Sequence, residues 1–384
     1  MTAPIEIRPV SNRRELNGFI RVPWRLYRSD PSWVPPLILE RMRHLSADNP
    51  YFKHARWRAW VAYRDGRPVG RISAQIDDLH LQRYQDATGF FGMLEAEHDQ
   101  AVFAALFAAA EGWLVQSGMN RVLGPFNLSI NQDCGLLVDG FDTPPSIMMG
   151  HALRYYRHAV ERQGYVQAKD LLAYRIDADF QRSPVMLALT RKYRDRLTVR
   201  ALDRSALQRE MSTLRDLFND AWSANWGFVP FTEDEFQAMG RHLSLLVGDG
   251  LIQIAEIDHQ AVAFIAALPN VNEAIRDLNG RLFPFGWARL LWRLKVRHPR
   301  TARVALMGVR ERFQRSRLGP GLAFLVIDAL RPEVIRRGVT EVEMSWILED
   351  NIAMRNIIES IGGVVYKRYR LFEKPLHGAD GGSR

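Results

Sequence analysis

Apolar and polar residues alternate with period two in several short runs, and with a period near 3.6 in the stretches between, so the chain predicts strands and helices in turn. Residues 59–63 and 68–76 flank the turn Arg64-Asp65-Gly66-Arg67 and read as paired strands. A strand over 90–94, a helix over 100–117 and a strand over 121–123 follow. A helix over 153–162 then stops at Gly164 before a strand over 165–176. From residue 197 the order repeats. A strand over 197–202 leads into a helix through Leu207 to Trp222, as 5–10 leads into a helix from Asn12. Paired strands over 251–256 and 260–267 precede a strand over 303–309 and a helix opening at Gly321. In the next strand Val342, Met344, Trp346 and Leu348 alternate with Glu341, Glu343 and Ser345. Residues 352–361 predict a helix that stops at Gly362-Gly363, and 364–372 a last strand. The chain therefore reads as a distant tandem duplication of an α/β unit with mixed sheets. Its expected division is a first domain over 1–180, a helical linker over 181–196, a second domain over 197–376 and a flexible tail over 377–384.

The 384 residues, 47% hydrophobic and 25% charged, leave room for two buried cores. The N-terminus lacks the apolar region of a secretory signal, and no run of 18 apolar residues exists, so a cytoplasmic protein is expected. The single Cys134 excludes an intramolecular disulfide, and the ten histidines never take helix-borne metal-ligand spacing, so no metal is expected. A formal net charge of +9 attracts polyanions: nucleic acid, an anionic membrane or a phosphate-rich cofactor. No nucleic-acid motif accompanies the charge, and none is expected to bind. In 286–297, Trp287, Leu290, Leu291 and Leu294 fall at helical spacing beside Arg289, Arg293 and Arg297, with no acid among them. Such a helix either lays its apolar stripe on the core or meets an anionic bilayer along 286–300, at the inner face of the cytoplasmic membrane.

The densest chemistry lies between the strand at 303–309 and the following helix. Arg310, Arg312, Arg315 and Arg317 lead to Gly319-Pro320-Gly321 and Leu322. A basic Gly-rich turn at a helix N-terminus offers backbone N–H groups and the positive end of the dipole to a phosphate. The spacing fits neither a Walker loop nor a dinucleotide fingerprint, since Leu322-Ala323 and Phe324 stand where Lys-Ser/Thr and a third Gly are needed. The corresponding connection in the first half, Glu95-Ala96-Glu97-His98-Asp99, is acidic and would repel a pyrophosphate.

Ser316-Arg317-Leu318-Gly319-Pro320-Gly321, with the element order around it, resembles the pyrophosphate loop of the GNAT acyltransferase superfamily over most of 197–374. Ser316 departs from the usual Gln or Arg. The resemblance implies an acyl-coenzyme A co-substrate held by Val309, Arg310, Arg315, Arg317, Leu318, Gly319, Gly321 and Leu322, in the second domain only. It also implies direct attack by an amine, with the Val309 N–H as oxyanion donor. Glu343 is the expected base, with Ser345, Glu349 and Asn351 as further catalytic contacts. Glu343 and Glu349 could instead pair with arginine, and Asn351 could simply cap a helix. The family's usual acid, a Tyr seven residues after the Asn, is replaced by Ile358.

Two aromatic-rich segments, 24–52 and 219–231, read either as core or as an acceptor pocket that includes Trp222, Asn225, Trp226 and Phe228. The polar stretch 127–145 reads as a loop shaped by its Asn, Asp and Gly, or as one projecting toward the second domain to meet a polar head group. Trp33-Val34-Pro35-Pro36-Leu37, Gly140-Phe141-Asp142-Thr143-Pro144-Pro145 and Glu349-Asp350-Asn351 are similar to the bacterial ceramide synthase group. That resemblance implies transfer of a fatty acyl chain to the amine of a sphingoid base such as 3-oxosphinganine. A GNAT enzyme for a small soluble amine, and a non-catalytic lipid- or nucleic-acid-binding module, remain as alternatives.

Overall fold

The computed structural model describes residues 3–193, 197–243, 248 and 250–376; the expected tail at 377–384 and the end of the expected linker lie outside them. In chain order the first half holds β1 (Glu6–Pro9), α1 (Arg13–Leu26), α2 (Ile38–His44), β2 (Ala55–Arg64), β3 (Arg67–Asp77), α3 (Asp78–Tyr84), β4 (Thr88–Ala96), α4 (Gln100–Gln116), β5 (Arg121–Gly124), β6 (Leu136–Asp139), α5 (Tyr156–Glu161) and β7 (Val166–Asp177). The second holds α6 (Pro184–Tyr193), β8 (Thr198–Ala201), α7 (Leu207–Trp222), α8 (Glu233–Leu243), β9 (Ile252–Ile257), β10 (Gln260–Pro269), α9 (Val271–Ile275), α10 (Gly286–Trp292), β11 (Thr301–Val309), α11 (Glu311–Gln314), α12 (Gly319–Arg336), β12 (Glu341–Leu348), α13 (Ile352–Ser360) and β13 (Val364–Pro375). The order matches the α/β duplication. α12 starts at Gly319, two residues earlier than expected, and α5 is shorter than the 153–162 helix.

The chain forms two compact units that are interleaved along the sequence. Unit 1 takes the described residues up to Leu171, then Ile275–Phe283, then those from Lys367 onward; unit 2 takes Leu172–Ala274 and Pro284–Tyr366. A contiguous cut at 181–196 differs from this because strand pairing recruits the chain's far end. In unit 1 the C-terminal part of β13 pairs antiparallel with β5, Phe372 facing Gly124, and with β6, Tyr369 facing Leu137.

Unit 1 runs β1-β2-β3-β4 antiparallel, and β4 then pairs parallel with β5. One face is covered by α1 and the segment after it, through Phe19, Ile20, Val22, Tyr51 and Val61. α4 buries Val102, Phe103, Leu106, Phe107, Ala110 and Leu114. The β4–β5 pairing ends at Phe90 facing Leu123. Beyond it the chain itself enters the gap: Phe126 N–H donates to Phe91 O at 2.7 Å and Met93 N–H to Asn127 Oδ1 at 2.7 Å. A Cβ on Gly92 would lie 1.8 Å from Phe126 O, so this close approach requires glycine. The polar stretch 127–145 therefore packs within unit 1: Gln75 Nε2 donates to Phe126 O and Leu128 O, and buried Lys367 donates to Gly140 O and Thr143 O. It also contains β6, whose Leu-Leu-Val-Asp is too short for a period-two signal to stand out.

Unit 2 runs β8-β9-β10-β11 antiparallel, with β12 parallel to β11. α7 buries Met211, Leu214, Leu217, Phe218 and Ala221 against Phe228, Phe231, Phe236, Ile254 and Phe264. α12 buries Leu322, Ala323, Phe324, Val326 and Ile327. Gly92→Ala should destabilise the protein by about 3 kcal/mol, since the new methyl has no space without expelling Phe126. Urea denaturation of the purified variant measures it.

Candidate active site

The β11–β12 pair opens the site. Parallel pairing runs from Thr301 facing Glu341 to Val304 facing Met344 and stops there, although β11 continues along β10 to Val309. Arg310 N–H donates to Val262 O at 2.9 Å. Successive strand residues turn their amide and carbonyl to opposite edges, so Met307 and Val309 turn theirs away from β10, into the gap left by β12. The two carbonyls are satisfied locally: Met307 O by Trp222 Nε1 at 3.0 Å, Val309 O by Gln314 Nε2 at 2.8 Å. The two N–H groups have no acceptor among the described residues. An unpaired strand edge of this kind takes an extended ligand by backbone hydrogen bonding.

The loop after β11 lies at the open end. Arg310 is committed to the fold, donating to Ala261 O at 2.8 Å and pairing with Asp216 at 2.7 Å. Arg315 and Arg317 are exposed, with no side-chain partner among the described residues. In the first turn of α12, Gly319 N–H donates to Ser316 O and Leu322 N–H to Leu318 O, Pro320 has no N–H, and the Gly321 N–H has no described acceptor. The glycines serve packing. A Cβ on Gly319 would meet Phe313 O at 2.6 Å, and one on Gly321 would meet the Tyr193 ring of α6 at 2.8 Å. Leu322 is fully buried and Leu318 half-buried, so both support the turn from below.

At the closed end of the gap, Arg303 (2% exposed) donates from Nε to Ser345 Oγ at 2.8 Å and from Nη2 to Ser345 O at 3.1 Å. Its Nε is 3.6 Å from Glu343 Oε1, to which Ser345 Oγ donates, while Tyr366 OH donates to Glu343 Oε2. The guanidinium stands 5.3 Å from the Trp346 ring. Glu343 and Ser345 are thus brought together, buried, with an arginine and a half-exposed tyrosine. Arg303 and Tyr366 carry no motif, and only the structure reveals them.

Glu349 and Asn351 lie at the other end of β12, six and eight residues on, roughly 20 Å along the chain. Asn351 caps α13, accepting from Met354 N–H at 3.1 Å, and Glu349 O accepts from Arg355 at 2.8 Å. Ile358 is fully buried. Among the aromatics, Trp222 stacks on Phe218 with ring centres 5.0 Å apart and Phe228 is core, whereas Asn225 and Trp226 are half-buried in the loop after α7. No group of three or more His, Cys, Asp or Glu side chains is placed to hold a metal among the described residues.

Unit 1 has charged groups at the equivalent strand end, and they are pinned. Glu97 pairs with Arg25, and Asp99 caps α4 and pairs with Arg64. Glu95 Oε2 accepts from Tyr27 OH and Tyr156 OH, each at 2.8 Å, with Arg71 Nη2 3.7 Å from Oε1. Burial pushes the Glu95 carboxyl up to about 7, against the opposing pull of Arg71 and the two tyrosines.

Two α/β units of this order, one with a parallel strand pair that parts beside a basic helix N-terminus, define a tandem GNAT fold. Among solved structures, a tandem GNAT protein from the clavulanic acid biosynthesis pathway superposes with TM-score 0.60 at 12% identity, over 98% of this chain and 100% of that one. A GCN5-related N-acetyltransferase from Sphaerobacter thermophilus gives TM-score 0.54 at 13% identity, over 98% of each. No family model matches the sequence. Protein YghO of Escherichia coli K12 is 53% identical over 96% of this chain and 95% of its own length. The bacterial ceramide synthase of Caulobacter vibrioides is 46% identical over 97% and 98%. The chain belongs to the bacterial ceramide synthase family of GNAT-fold N-acyltransferases.

The raised Glu95 carboxyl has a signed effect on stability. Below pH 4.5 Glu95 is protonated whether the chain is folded or not. As pH rises toward about 7 the unfolded chain releases the proton while the folded one keeps it, so stability falls by about 3 kcal/mol and then levels off. Glu95→Gln should flatten this slope between pH 5 and 8, as read from thermal melts of both proteins.

Proposed function

We propose that this protein transfers a fatty acyl chain from acyl-coenzyme A to the amine of a sphingoid base of the 3-oxosphinganine kind. The observation that carries the reading is the parting of β11 and β12, which leaves the Met307 and Val309 N–H groups facing an open gap. The relative named bacterial ceramide synthase supports the choice of acceptor. When bound, acyl-coenzyme A supplies the acyl group activated as a thioester. Arg315, Arg317 and the Gly321 N–H at the start of α12 hold its phosphates, and the Met307 edge holds the extended arm. The Val309 N–H stabilises the oxygen on which charge develops as the amine attacks the thioester carbonyl; the C–N bond forms, the C–S bond breaks, and coenzyme A leaves as a thiolate that is protonated from solvent. Glu343 accepts the proton that the amine releases, by way of the Tyr366 hydroxyl bonded to it and less buried. Ser345 and Arg303 fix that carboxylate in place. Asn225 and Trp226, with the edge of Trp222, line the acceptor's approach from the α7 side; Phe228 supports them from the core. Glu349 and Asn351 act by shaping the turn into α13.

Unit 1 takes no acyl-coenzyme A, because Phe126 and Asn127 already occupy its strand gap. The acceptor is a lipid, so the protein works against an anionic membrane at the inner face of the cytoplasmic membrane, with 286–300 as its contact.

Purified protein given palmitoyl-coenzyme A and 3-oxosphinganine should yield the N-acylated base by mass spectrometry. Acylation of small soluble amines alone would move the assignment to the soluble-amine reading. Calorimetry should return one acyl-coenzyme A per chain, and Arg315→Ala with Arg317→Ala should weaken it by about tenfold. Glu343→Gln and Tyr366→Phe should each lower kcat by about a hundredfold with little change in the Kd for acyl-coenzyme A. Unchanged turnover in both would return the cluster to a purely structural role.

A further inference from the structure

The segment from α10 into the π-helical turn Arg293–Arg297 leaves its largest apolar side chains in water. Phe285 is 78% exposed, Val296 64%, and Trp287, Leu291 and Trp292 each 52%. Of the stripe that regular helical spacing predicts, Trp287 and Leu291 face outward. Leu290 and Leu294 turn inward to half-burial, and Arg293 turns with them, donating to Ala274 O at 2.7 Å. Trp292 and Val296 stand on the outer side with Trp287 and Leu291; the wider turn from Arg293 onward shifts Leu294 and Val296 but not the residues of α10 before it. Large exposed apolar patches mark interaction sites.

The charge around the patch chooses the partner. Residues 281–300 contain six Lys or Arg and no Asp or Glu, and Arg289, Lys295, Arg297 and Arg300 are exposed. A second copy of the chain seated on this face by two-fold symmetry would bring the same cations together, and the segment itself carries no acid to pair with them. A nucleic acid would match the charge but would leave Leu291 and Val296 without a partner. A bilayer with acidic head groups satisfies both, taking the tryptophans at the head-group boundary and the aliphatic residues just below it.

We propose that Phe285, Trp287, Leu291, Trp292 and Val296 insert together into an anionic bilayer, with Arg289, Lys295 and Arg297 lying on its phosphates. The proposal rests on the reading of a lipid acceptor, and it specifies which face of the 286–300 segment makes the contact. The face is part of the folded surface, so the protein docks without spanning; no helix among the described residues is long and apolar enough to cross a membrane.

Co-sedimentation with vesicles of phosphatidylglycerol and phosphatidylcholine, with neither substrate present, tests it. The full chain should sediment with mixed vesicles at least tenfold better than with phosphatidylcholine alone, should be released by high salt, and should shift its tryptophan emission to shorter wavelength on binding. Trp287→Ser, Leu291→Ser and Trp292→Ser combined should lose at least tenfold in binding, and Arg289→Glu, Lys295→Glu and Arg297→Glu combined should lose the preference for acidic lipid. Thermal melts matching the parent protein establish that both variants fold. A parent protein that stays in the supernatant, or a serine variant that binds equally well, overturns the proposal. So does sedimentation velocity showing a dimer that the serine variant dissociates, which would assign the face to a second copy. Turnover of detergent-dispersed 3-oxosphinganine separates the two readings: a serine variant that keeps it while losing vesicles supports membrane docking, and absence of product from the parent protein removes the acceptor while leaving vesicle binding to stand on its own result.

Discussion

Unit 2 is organised by a shortfall in backbone pairing. After Val304 and Met344 the two parallel strands no longer reach each other, and every amide and carbonyl on the exposed edge of β11 needs another solution. The carbonyls are met from within: Trp222 reaches back from the end of α7, and Gln314 from the single turn of α11. Those two bonds fix where α7 ends, where the loop turns and hence where α12 begins. The strands are clamped where pairing stops, by a guanidinium that is almost wholly buried and bonded to Ser345 beside Glu343. A buried arginine stripped of such partners is costly, so the clamp and the carboxylate depend on each other.

Unit 1 meets the same shortfall and resolves it with its own chain. Phe126 supplies an amide to Phe91, Asn127 supplies a side-chain oxygen to Met93, and Gly92 lacks the carbon that would block them. One copy of the duplicated architecture keeps its edge open and the other has filled it. The filled copy holds a carboxyl, Glu95, whose protonation near neutrality follows from burial between two tyrosines and an arginine. Its acidic connection is tied to arginines, and it is the inserted segment that closes the strand gap.

Much of the fold was legible because two periodicities do not imitate each other: the alternation over 342–348 and the 3.6-residue pattern ending at Trp222 both emerge as drawn, the latter with its bounds intact as Leu207–Trp222. The basic loop and its helix were legible as a place, less so as a set of roles. Gly321 reads as a ligand contact, but the place of its missing side chain is also taken by Tyr193, 128 positions earlier, and no local pattern announces a contact of that range. Arg303 sits in a strand whose apolar neighbours hide it, and Tyr366 sits near the start of a strand with no motif. Phe228 and Asn225 are three residues apart in an aromatic-rich run, yet one is core and the other is not, since composition does not say which way a loop turns. The stripe expected over 287–294 straddles the surface: Trp287 and Leu291 face outward and Leu290 and Leu294 are half-buried, since spacing gives the stripe but not how the helix is rolled against its support, and beyond Trp292 the π-helical turn alters the spacing itself.

The interleaving of the two units also bears on how the protein is made. β5 and β6 emerge from the ribosome more than two hundred residues ahead of the segment of β13 that pairs with them, and the ammonium of Lys367 arrives equally late to cover the carbonyls of Gly140 and Thr143. Throughout that interval the amino-terminal unit has an unpaired sheet edge and an incomplete core, and it cannot be finished as an independent piece before that strand has emerged. Folding of the first unit therefore waits for the last strand, and a ribosome that stalls short of residue 367 leaves behind a nascent chain with a sticky edge rather than a finished domain.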